Sequence, residues 1–191
     1  MNHDLIIKGY AFSLRPVSNS DAAKIIELRT TNTRCQYLNT TSANVANQID
    51  WLENYYKRPQ EYYFAIERIT TNAVEGFISI YNYDEHSRTA EWGRWVLSPG
   101  SQSAVESAWL IYRCAFDTLR LSSIYCRTIA DNTAVVSFHD SCGIRNRRLL
   151  KNHLFINEAI RDAVEHCLPA EDWPAIRETL GKISSRIACK L

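Results

Sequence analysis

The sequence predicts a single α+β domain, on three observations. The 191 residues make a chain of ordinary domain length, and no run rich in proline, glycine or serine divides it. Stretches that alternate apolar and polar residues are interspersed with stretches in which apolar residues recur three and four positions apart. The middle of the chain holds three consecutive strand-like stretches with short connections, which predict an antiparallel meander.

The first half of the chain predicts four strands and two helices. The strands are expected at residues 10–15, 62–68, 74–83 and 89–97, and the helices at residues 22–29 and 45–56. Pro16 ends the first strand, and the polar residues 18–21 supply N-cap chemistry for the first helix. Residues 30–44 are polar and are expected to form a loop with at most a short helix.

The second half predicts a long amphipathic helix at residues 105–119 and a strand at 123–130. Asp131 or Asn132 caps a further helix, and Gly143 lies where a helix C-terminal glycine is common. A last helix is expected at residues 173–183. Residues 159–168 pair apolar positions four apart, and that spacing taken by itself predicts a helix.

Composition and charge exclude several classes of protein. Twenty-two basic and 21 acidic side chains leave a formal net charge of +1, which gives no long-range attraction to nucleic acid. No run approaches the roughly 18 apolar residues of a membrane span. Residues 1–8 lack a signal-peptide layout, so we expect a cytoplasmic protein without nucleic-acid or membrane partners.

Cysteine and glycine usage argue against two common kinds of site. The six cysteines lie far apart without a C-x-x-C pair, so we expect reduced thiols and neither a metal site nor a disulfide framework. The six glycines are too few for a glycine-rich phosphate loop. Any phosphate site would therefore depend on a helix N-terminus instead.

Four segments in a fixed order carry a resemblance to a known family. They are residues 14–22, residues 90–96, the stretch from Ala115 to Cys126, and residues 132–144. The last segment matches a pattern of asparagine, leucine-tyrosine and glycine-phenylalanine, with seven residues from Asn132 to His139 and eleven from Asn132 to Gly143. Over residues 11–177 the chain resembles the GNAT superfamily of acyl-CoA-dependent N-acyltransferases.

The resemblance implies a GNAT-like fold for the whole chain, residues 1–191. That fold has a mixed, mostly antiparallel central sheet, with the family's fourth and fifth strands splayed apart and helices on both faces. Residues 159–168 would then form the last strand. This contradicts the helical spacing of that segment, and we adopt the family topology.

The resemblance also implies a reaction, the transfer of an acetyl group from acetyl-CoA to a small-molecule amine. The segments at 90–96 and 138–143 are similar to enzymes that acetylate nucleotide-linked amino sugars in pseudaminic-acid and O-antigen pathways, which belong to polysaccharide biosynthesis. The alternatives are a protein N-terminal acetyltransferase of the ribosomal type, and a degenerate fold that binds acyl-CoA without catalysis. A homodimer is compatible with the resemblance.

By the same resemblance, backbone groups hold acetyl-CoA. Pantetheine would pair with Trp95, Val96 and Leu97, where the splayed strand leaves its ladder incomplete. The pyrophosphate would bind the start of the long helix, at Gly100, Ser101, Gln102, Ser103 and Ala104. Gln102 departs from the family's small residue, and the hydroxyls of Ser101 and Ser103 would compensate. Asn132 would bind the pantetheine arm, cap the following helix, or do both.

Acetyl transfer needs a base for the amine, donors for the oxyanion and an acid for the thiolate. His139 occupies the position of the family's acidic tyrosine, and it would act either as that acid or as the base. Glu91 is the carboxylate candidate for base, directly or through water. The N–H of Val96 is the oxyanion donor that the resemblance implies.

Three further groups of residues carry weaker hypotheses. Asp84, Glu85 and His86 lie in a turn and would either contact a substrate or be solvated. Arg145, Arg147 and Arg148 would either bind a nucleotide diphosphate or form a solvated strand end. Cys142 lies three residues after His139 and suggests a thiol nucleophile, but its position on the apolar stripe favours an inert buried thiol.

Overall fold

A mixed eight-stranded sheet forms the centre of the computed structural model, which describes residues 2–31 and 36–191. The strands are β1 Ile7–Lys8, β2 Phe12–Pro16, β3 Tyr62–Arg68, β4 Val74–Asp84, β5 Thr89–Leu97, β6 Ser123–Ile129, β7 Arg147–Ile156 and β8 Ala159–Pro169. The helices are α1 Ala22–Thr30, α2 Val45–Tyr55, α3 Ala104–Arg113, α4 Thr133–Ser141 and α5 Trp173–Ala188. The strand order is β1-β2-β3-β4-β5-β6-β8-β7, and the pairs are antiparallel except β5 with β6.

The parallel pair β5–β6 separates soon after it begins. Pairing joins Thr89, Ala90 and Glu91 to residues 123–125 and then stops, while β5 continues to pair with β4 as far as Leu97. The β6 side of residues 92–97 therefore lies open. The predicted mostly antiparallel α+β sheet with a splay at this position is confirmed.

A β-bulge bends β5 within this open stretch. Phe77 pairs with Val96 and Ser79 with Gly93, so two residues of β5 oppose one of β4. One of the two, Arg94, has a φ of 48°, in the left-handed region that non-glycine residues seldom adopt. The bulge thus displaces the side chain of Arg94 from the regular alternation of the strand.

Helices cover the two faces of the sheet, as the alternation along its strands requires. Trp92, Ile124 and Leu168 belong to an apolar core that also contains residues of α3 and α5, and α4 packs against it through Phe138. Residues on the opposite face, such as Phe77, pack with α1 and α2. Glu91 and Trp92 are neighbours in β5 and therefore face different helical layers.

The tail is a β-hairpin, which confirms the family topology and shows that the helical spacing was misleading. β8 lies between β6 and β7 and pairs with both. Residues 163–166 are consequently buried without a break, which hides the two-residue period of a strand. β1 and β7 were not predicted from the sequence. The predicted helix 105–119 is α3 followed by a π-helical turn, Cys114–Thr118.

A buried carboxylate ties the β1–β2 turn to the first turn of α3. Glu106 is 1% exposed and accepts hydrogen bonds from the backbone N–H groups of Tyr10, Ala11 (3.0 Å) and Phe12 (3.3 Å). Burial raises its pKa, and the N–H groups partly offset that effect. A side chain at Gly9 would collide with this carboxylate, so the glycine permits the contact. These hydrogen bonds of Glu106, called the clamp below, fix where α3 begins.

No helix among the described residues is long and apolar enough to cross a membrane. Cys114, Cys126, Cys142, Cys167 and Cys189 are free thiols, and Cys35 lies outside the described residues.

Candidate active site

The open edge of β5 carries the three residues predicted to bind pantetheine. Trp95, Val96 and Leu97 lie beyond the last residue that pairs with β6. The indole of Trp95 donates to the hydroxyl of Ser107 on α3 (3.1 Å) and packs 5.0 Å from the ring of Phe138 on α4. The edge is thus held between two helices, with an incomplete backbone ladder available to a peptide-like ligand.

The loop before α3 presents backbone groups rather than hydroxyls. Gly100 has a φ of 78°, which suits glycine. The Ser101 hydroxyl donates to Glu75 Oε2 (2.7 Å) and accepts from the Ser103 N–H (3.2 Å), so its proton is engaged. Ser103 is fully buried and makes no side-chain cap bond. The first-turn N–H groups of α3 have no partner within a helix and are available to an anion, next to Ala104 and the exposed Gln102.

Asn132 occupies the N-cap position of α4 without capping it through its side chain. Its backbone carbonyl accepts from Val135 and Val136 (3.1 Å each). Its side chain makes no cap bond within the described structure. The amide is therefore free for another partner, as the hypothesis of a pantetheine contact requires.

His139 lies on the inner side of α4, 2% exposed, in a cluster of rings. Its centroid is 5.3 Å from that of Trp92, and its Nε2 is 3.6 Å from the sulfur of Cys126. Nδ1 has no hydrogen-bond partner among the described residues. Burial, together with the nearby His166, lowers the pKa of His139 to about 3. The imidazole is therefore neutral at physiological pH, and its low pKa makes it a weak base.

Cys142 does not form the pair that its spacing suggested. The sulfur within hydrogen-bond distance of His139 belongs to Cys126, in the part of the chain that the structure describes. Burial raises the pKa of the Cys142 thiol to about 12. Cys142 is thus an inert thiol of the apolar core, and the nucleophile hypothesis is wrong.

Glu91 lies on the other face of the sheet and is 7% exposed. Its carboxylate accepts hydrogen bonds from the Tyr81 hydroxyl (3.3 Å), Asn82 Nδ2 (3.1 Å) and Arg127 Nη1 (3.3 Å). Because Glu91 and Trp92 point to opposite faces, the sheet separates Glu91 from His139. The two predicted catalytic side chains are therefore not in contact.

The weaker candidates lie away from the splay. Asp84 accepts from the backbone N–H groups of His86 (2.9 Å) and Ser87 (3.2 Å), which makes an exposed turn with Glu85. Two of the three clustered arginines are ion-paired on β7, at the far edge of the sheet. Arg147 contacts Asp140 (2.6 Å), Arg148 contacts Glu165 (2.7 Å), and Arg145 is exposed. Carboxylates thus already pair with Arg147 and Arg148, which favours a solvated strand end over a diphosphate site.

A cavity of about 530 Å³ lies on the Glu91 face of the sheet, between α1, α2 and the strands. Its wall includes three arginines and three aromatic residues, namely Arg29, Arg58, Arg94, Trp51, Tyr63 and Tyr81. Among the residues that the structure describes, no aspartate or glutamate lines it. No local pattern in the sequence predicts this cavity, because its residues come from distant segments.

Arg58 and Arg94 form one side of this cavity around Trp51. Their guanidinium carbons lie 5.4 and 5.3 Å from the centre of the Trp51 ring, and both pair with Glu61. Glu61 neutralises one charge, so the cationic side chains still outnumber the acidic ones. The bulge in β5 is what aims Arg94 into this position.

Tyr81 connects the cavity to Glu91. Its ring lines the cavity 4.6 Å from the guanidinium of Arg94, and its hydroxyl donates to the Glu91 carboxylate. The cavity therefore leads to a carboxylate at the edge of the splay. Within residues 2–31 and 36–191, no group of three or more His, Cys, Asp or Glu side chains is placed to hold a metal ion.

The sequence model of the acetyltransferase (GNAT) domain matches residues 12–145, more than half of the chain. The chain belongs to the GNAT acetyltransferase family. As a GNAT enzyme it is an N-acetyltransferase that moves an acetyl group from acetyl-CoA to an amine. The splay, the uncapped start of α3 and the free amide of Asn132 fit this co-substrate. No curated protein sequence gives a significant match.

Solved GNAT structures share this fold at low sequence identity. A GCN5-related N-acetyltransferase from Brucella melitensis has a TM-score of 0.80 at 19% identity, over 93% of this chain and 84% of its own. FdhC, a nucleotide-linked sugar GNAT, has 0.78 at 24% identity, over 95% and 99%. The spermidine/spermine N-acetyltransferase SpeG from Vibrio cholerae has 0.73 at 17%, over 86% and 97%. At these identities the likeness shows the fold alone.

Proposed function

We propose that this GNAT enzyme acetylates the amino group of a nucleotide-linked amino sugar. The observation that carries the proposal is the cationic cavity on the Glu91 face, with Arg29, Arg58 and Arg94 in its wall and no carboxylate among its described lining residues. Guanidinium groups bind phosphate oxygens through paired, charge-assisted hydrogen bonds. A diphosphate therefore supplies the charge that this cavity favours.

The aromatic wall supports the same class of substrate. Trp51 is half-buried between the two guanidinium groups of Arg58 and Arg94. A planar base or a sugar ring packs well on such a surface, while the phosphates meet the arginines beside it. FdhC, which has the same fold, is a nucleotide-linked sugar GNAT.

The charge of the cavity argues against a polyamine acceptor. SpeG, also similar in fold, is a spermidine/spermine N-acetyltransferase, and its substrates are cations at neutral pH. The net positive charge that remains after Glu61 pairs with Arg58 and Arg94 would repel a polyamine, which a carboxylate-lined cavity would attract. A protein N-terminus likewise carries no phosphate to pair with the arginines.

We assign acetyl-CoA to the splay and the start of α3. Its pantetheine amides would complete the open ladder of Trp95, Val96 and Leu97, with Asn132 binding the same arm. Its pyrophosphate would accept hydrogen bonds from the N–H groups of residues 100–104 at the positive end of α3. When bound there, acetyl-CoA supplies the thioester carbonyl that the amine attacks, and the N–H of Val96 would stabilise the charge that develops on it.

Tyr81 and Glu91 would remove the proton of the amine. Tyr81 lines the cavity, and its hydroxyl already donates to Oε1 of Glu91 (3.3 Å). As the amine attacks, the phenolic oxygen accepts its proton and passes its own proton to the carboxylate. Glu91 is in this way the base, and Tyr81 is the group between the base and the substrate.

His139 would assist departure of the thiolate as a neutral donor. It occupies the position of the family's acidic tyrosine, and its unpartnered Nδ1 is the nitrogen left over once Nε2 contacts Cys126. A hydrogen bond from a neutral imidazole stabilises a thiolate without a full proton transfer. Glu91 and His139 would thus act from opposite faces of the sheet, Glu91 on the proton of the amine and His139 on the leaving thiolate.

Release of CoA thiol with a panel of acceptors tests the proposal. The panel comprises dTDP- and UDP-linked amino sugars, spermidine and a peptide with a free N-terminus. We expect turnover with at least one sugar nucleotide and a kcat/KM that is about a hundredfold lower for spermidine. A preference for spermidine or for the peptide would overturn the assignment.

A further inference from the structure

Three buried polar atoms without partners lie together beneath α4. They are Trp92 Nε1, His139 Nδ1 and His166 Nδ1, which have no hydrogen-bond partner among the described residues. The ring of His139 lies 5.3 Å from that of Trp92 and 5.1 Å from that of His166. Buried polar atoms are seldom left unpaired, because each costs about 1–3 kcal/mol.

Asp140 determines which nitrogen of His166 carries a proton. His166 is 1% exposed, and its Nε2 is 3.1 Å from Oδ1 of Asp140. A carboxylate only accepts hydrogen bonds, so Nε2 of His166 is the protonated nitrogen. Asp140 follows His139 on α4 and is also paired with Arg147 of β7 (2.6 Å), so it links the buried rings to the surface.

Cys126 plays the corresponding part for His139. Its sulfur is 3.6 Å from Nε2, and burial raises the pKa of its thiol well above the ordinary value, so the proton stays on sulfur. A thiol that donates to Nε2 needs a lone pair there. In that arrangement His139 carries its own proton on Nδ1.

Building on the proposed role of His139 as donor to the leaving sulfur, we propose that Asp140 and Cys126 are positioning residues that keep His139 neutral with its proton on Nδ1. Two buried imidazoles 5.1 Å apart cannot both be charged at modest cost. Asp140 makes its hydrogen bond to His166 and none to His139, so the carboxylate partner of the pair belongs to His166. His139 remains the neutral donor.

The charged and titratable groups around the pair come from four elements. Asp140 belongs to α4, Arg147 to β7 and Cys126 to β6, while Tyr112 of α3 packs on Trp92 with ring centroids 5.5 Å apart. Among these, Asp140 is the carboxylate, and it contacts His166 rather than His139. Replacing Asp140 therefore removes the preference between the two rings.

Asp140→Asn tests the proposal against the matched control Arg147→Gln, which removes the surface ion pair but keeps the Asp140–His166 bond. ¹⁵N NMR of the imidazoles in the free wild-type protein should find His139 with its proton on Nδ1 and His166 with its proton on Nε2. In Asp140→Asn, His166 should lose its single tautomer. In Arg147→Gln, both rings should stay unchanged.

Kinetics provide the second readout. Asp140→Asn should lower kcat about tenfold with the KM for acetyl-CoA kept within about twofold, while Arg147→Gln keeps both. The proposal is overturned if His139 carries its proton on Nε2, or if the two variants have the same tautomers and the same kcat. The NMR result needs no acceptor, so failure to find an acetylated sugar nucleotide would count against the proposed function alone.

Discussion

The hydroxyl of Tyr81 donates a 3.3 Å hydrogen bond to Oε1 of Glu91, and the two residues face each other across β4 and β5. Tyr81 is also part of the wall of the arginine-lined cavity. This bond joins the cavity proposed for the acceptor to the carboxylate proposed as base.

Tyr81 and Glu91 are expected to act in series. Glu91→Gln should lower kcat by about two to four decades and Tyr81→Phe by a smaller factor, because proton removal by a placed base has that magnitude. In the double variant the losses should not add, since either change interrupts the same path. Steady-state kinetics of the two single variants and the double variant provide the measurement.

The exposed Glu85 offers a matched control for this series, since Glu85→Gln removes a glutamate of the adjacent turn. Its kcat should stay within about twofold of wild type. Losses that add fully in the Tyr81–Glu91 double variant would show that the two residues contribute independently. The relay would then be wrong.

Arg94 is expected to bind the acceptor rather than to promote the chemical step. Arg94→Gln should raise the KM of a sugar nucleotide about tenfold to a hundredfold with kcat nearly kept, because one charge-assisted hydrogen bond is worth about 1.5–3 kcal/mol. Arg186→Gln, an exposed arginine on α5, should leave both constants unchanged. An unchanged KM in Arg94→Gln would remove Arg94 from the acceptor site.

His139 is expected to make stability depend on pH. Its folded pKa of about 3 lies below the value of 6.5 expected in the unfolded chain. Between these values the unfolded chain binds a proton that the folded protein does not. The contribution of His139 to the free energy of unfolding should therefore have its full value above pH 6.5. Below that pH it should decrease, by at most about 1.4 kcal/mol per pH unit.

Urea denaturation of wild type and His139→Gln between pH 4 and 8 isolates this contribution. The glutamine variant lacks the titrating ring, so wild type should lose stability relative to the variant as pH falls. A difference that stays constant over the whole range would mean that His139 is exposed enough to protonate in the folded state.

Glu106 is expected to stabilise the fold without touching substrate. In Glu106→Gln one acceptor oxygen is replaced by an amide donor that faces buried backbone N–H groups. The loss should be about 1–3 kcal/mol, or about 3–10 °C in the melting temperature. Glu178→Gln, an exposed glutamate on α5, should change the melting temperature by about 1 °C or less. Equal melting temperatures would contradict the clamp.

Acetyl-CoA should stabilise the protein through the splay and the start of α3. At a hundred times its Kd, a ligand that binds only the folded state adds about 2.7 kcal/mol. Thermal unfolding should move up accordingly, and Asn132→Ala should require a higher concentration for the same shift. If Asn132→Ala gives the same titration curve, the amide does not contact the co-substrate.

Local sequence patterns predicted the elements in which the apolar residues keep a single helical or strand spacing. α5 buries one stripe that includes Trp173, Ile176 and Leu180, and this spacing of apolar residues is evident in the sequence. β8 is paired on both edges and buried continuously at residues 163–166, so its strand period disappears and only the resemblance gave the right assignment. β1 is two residues long and leaves no readable pattern.

The residues of the candidate site likewise include some that the sequence suggested and some that it did not. His139 and Asn132 stand at fixed spacing in a recognisable segment, so the sequence alone made them candidates. Arg29, Arg58 and Arg94 belong to α1, to the loop after α2 and to β5, and folding alone brings them to one cavity. The signal at Arg94 was a charged residue inside an aromatic strand, whose bulge turns it towards the cavity.

The measurement that tests the central claim most directly compares one amino sugar with and without its nucleoside diphosphate. Thiol release should give a kcat/KM at least about a hundredfold higher for the nucleotide-linked sugar, equivalent to about 2.7 kcal/mol of binding by the arginines. This advantage should shrink as salt is raised, because screening weakens contacts with phosphate. Equal kcat/KM for the two sugars would contradict the assignment of the cavity to an anionic acceptor.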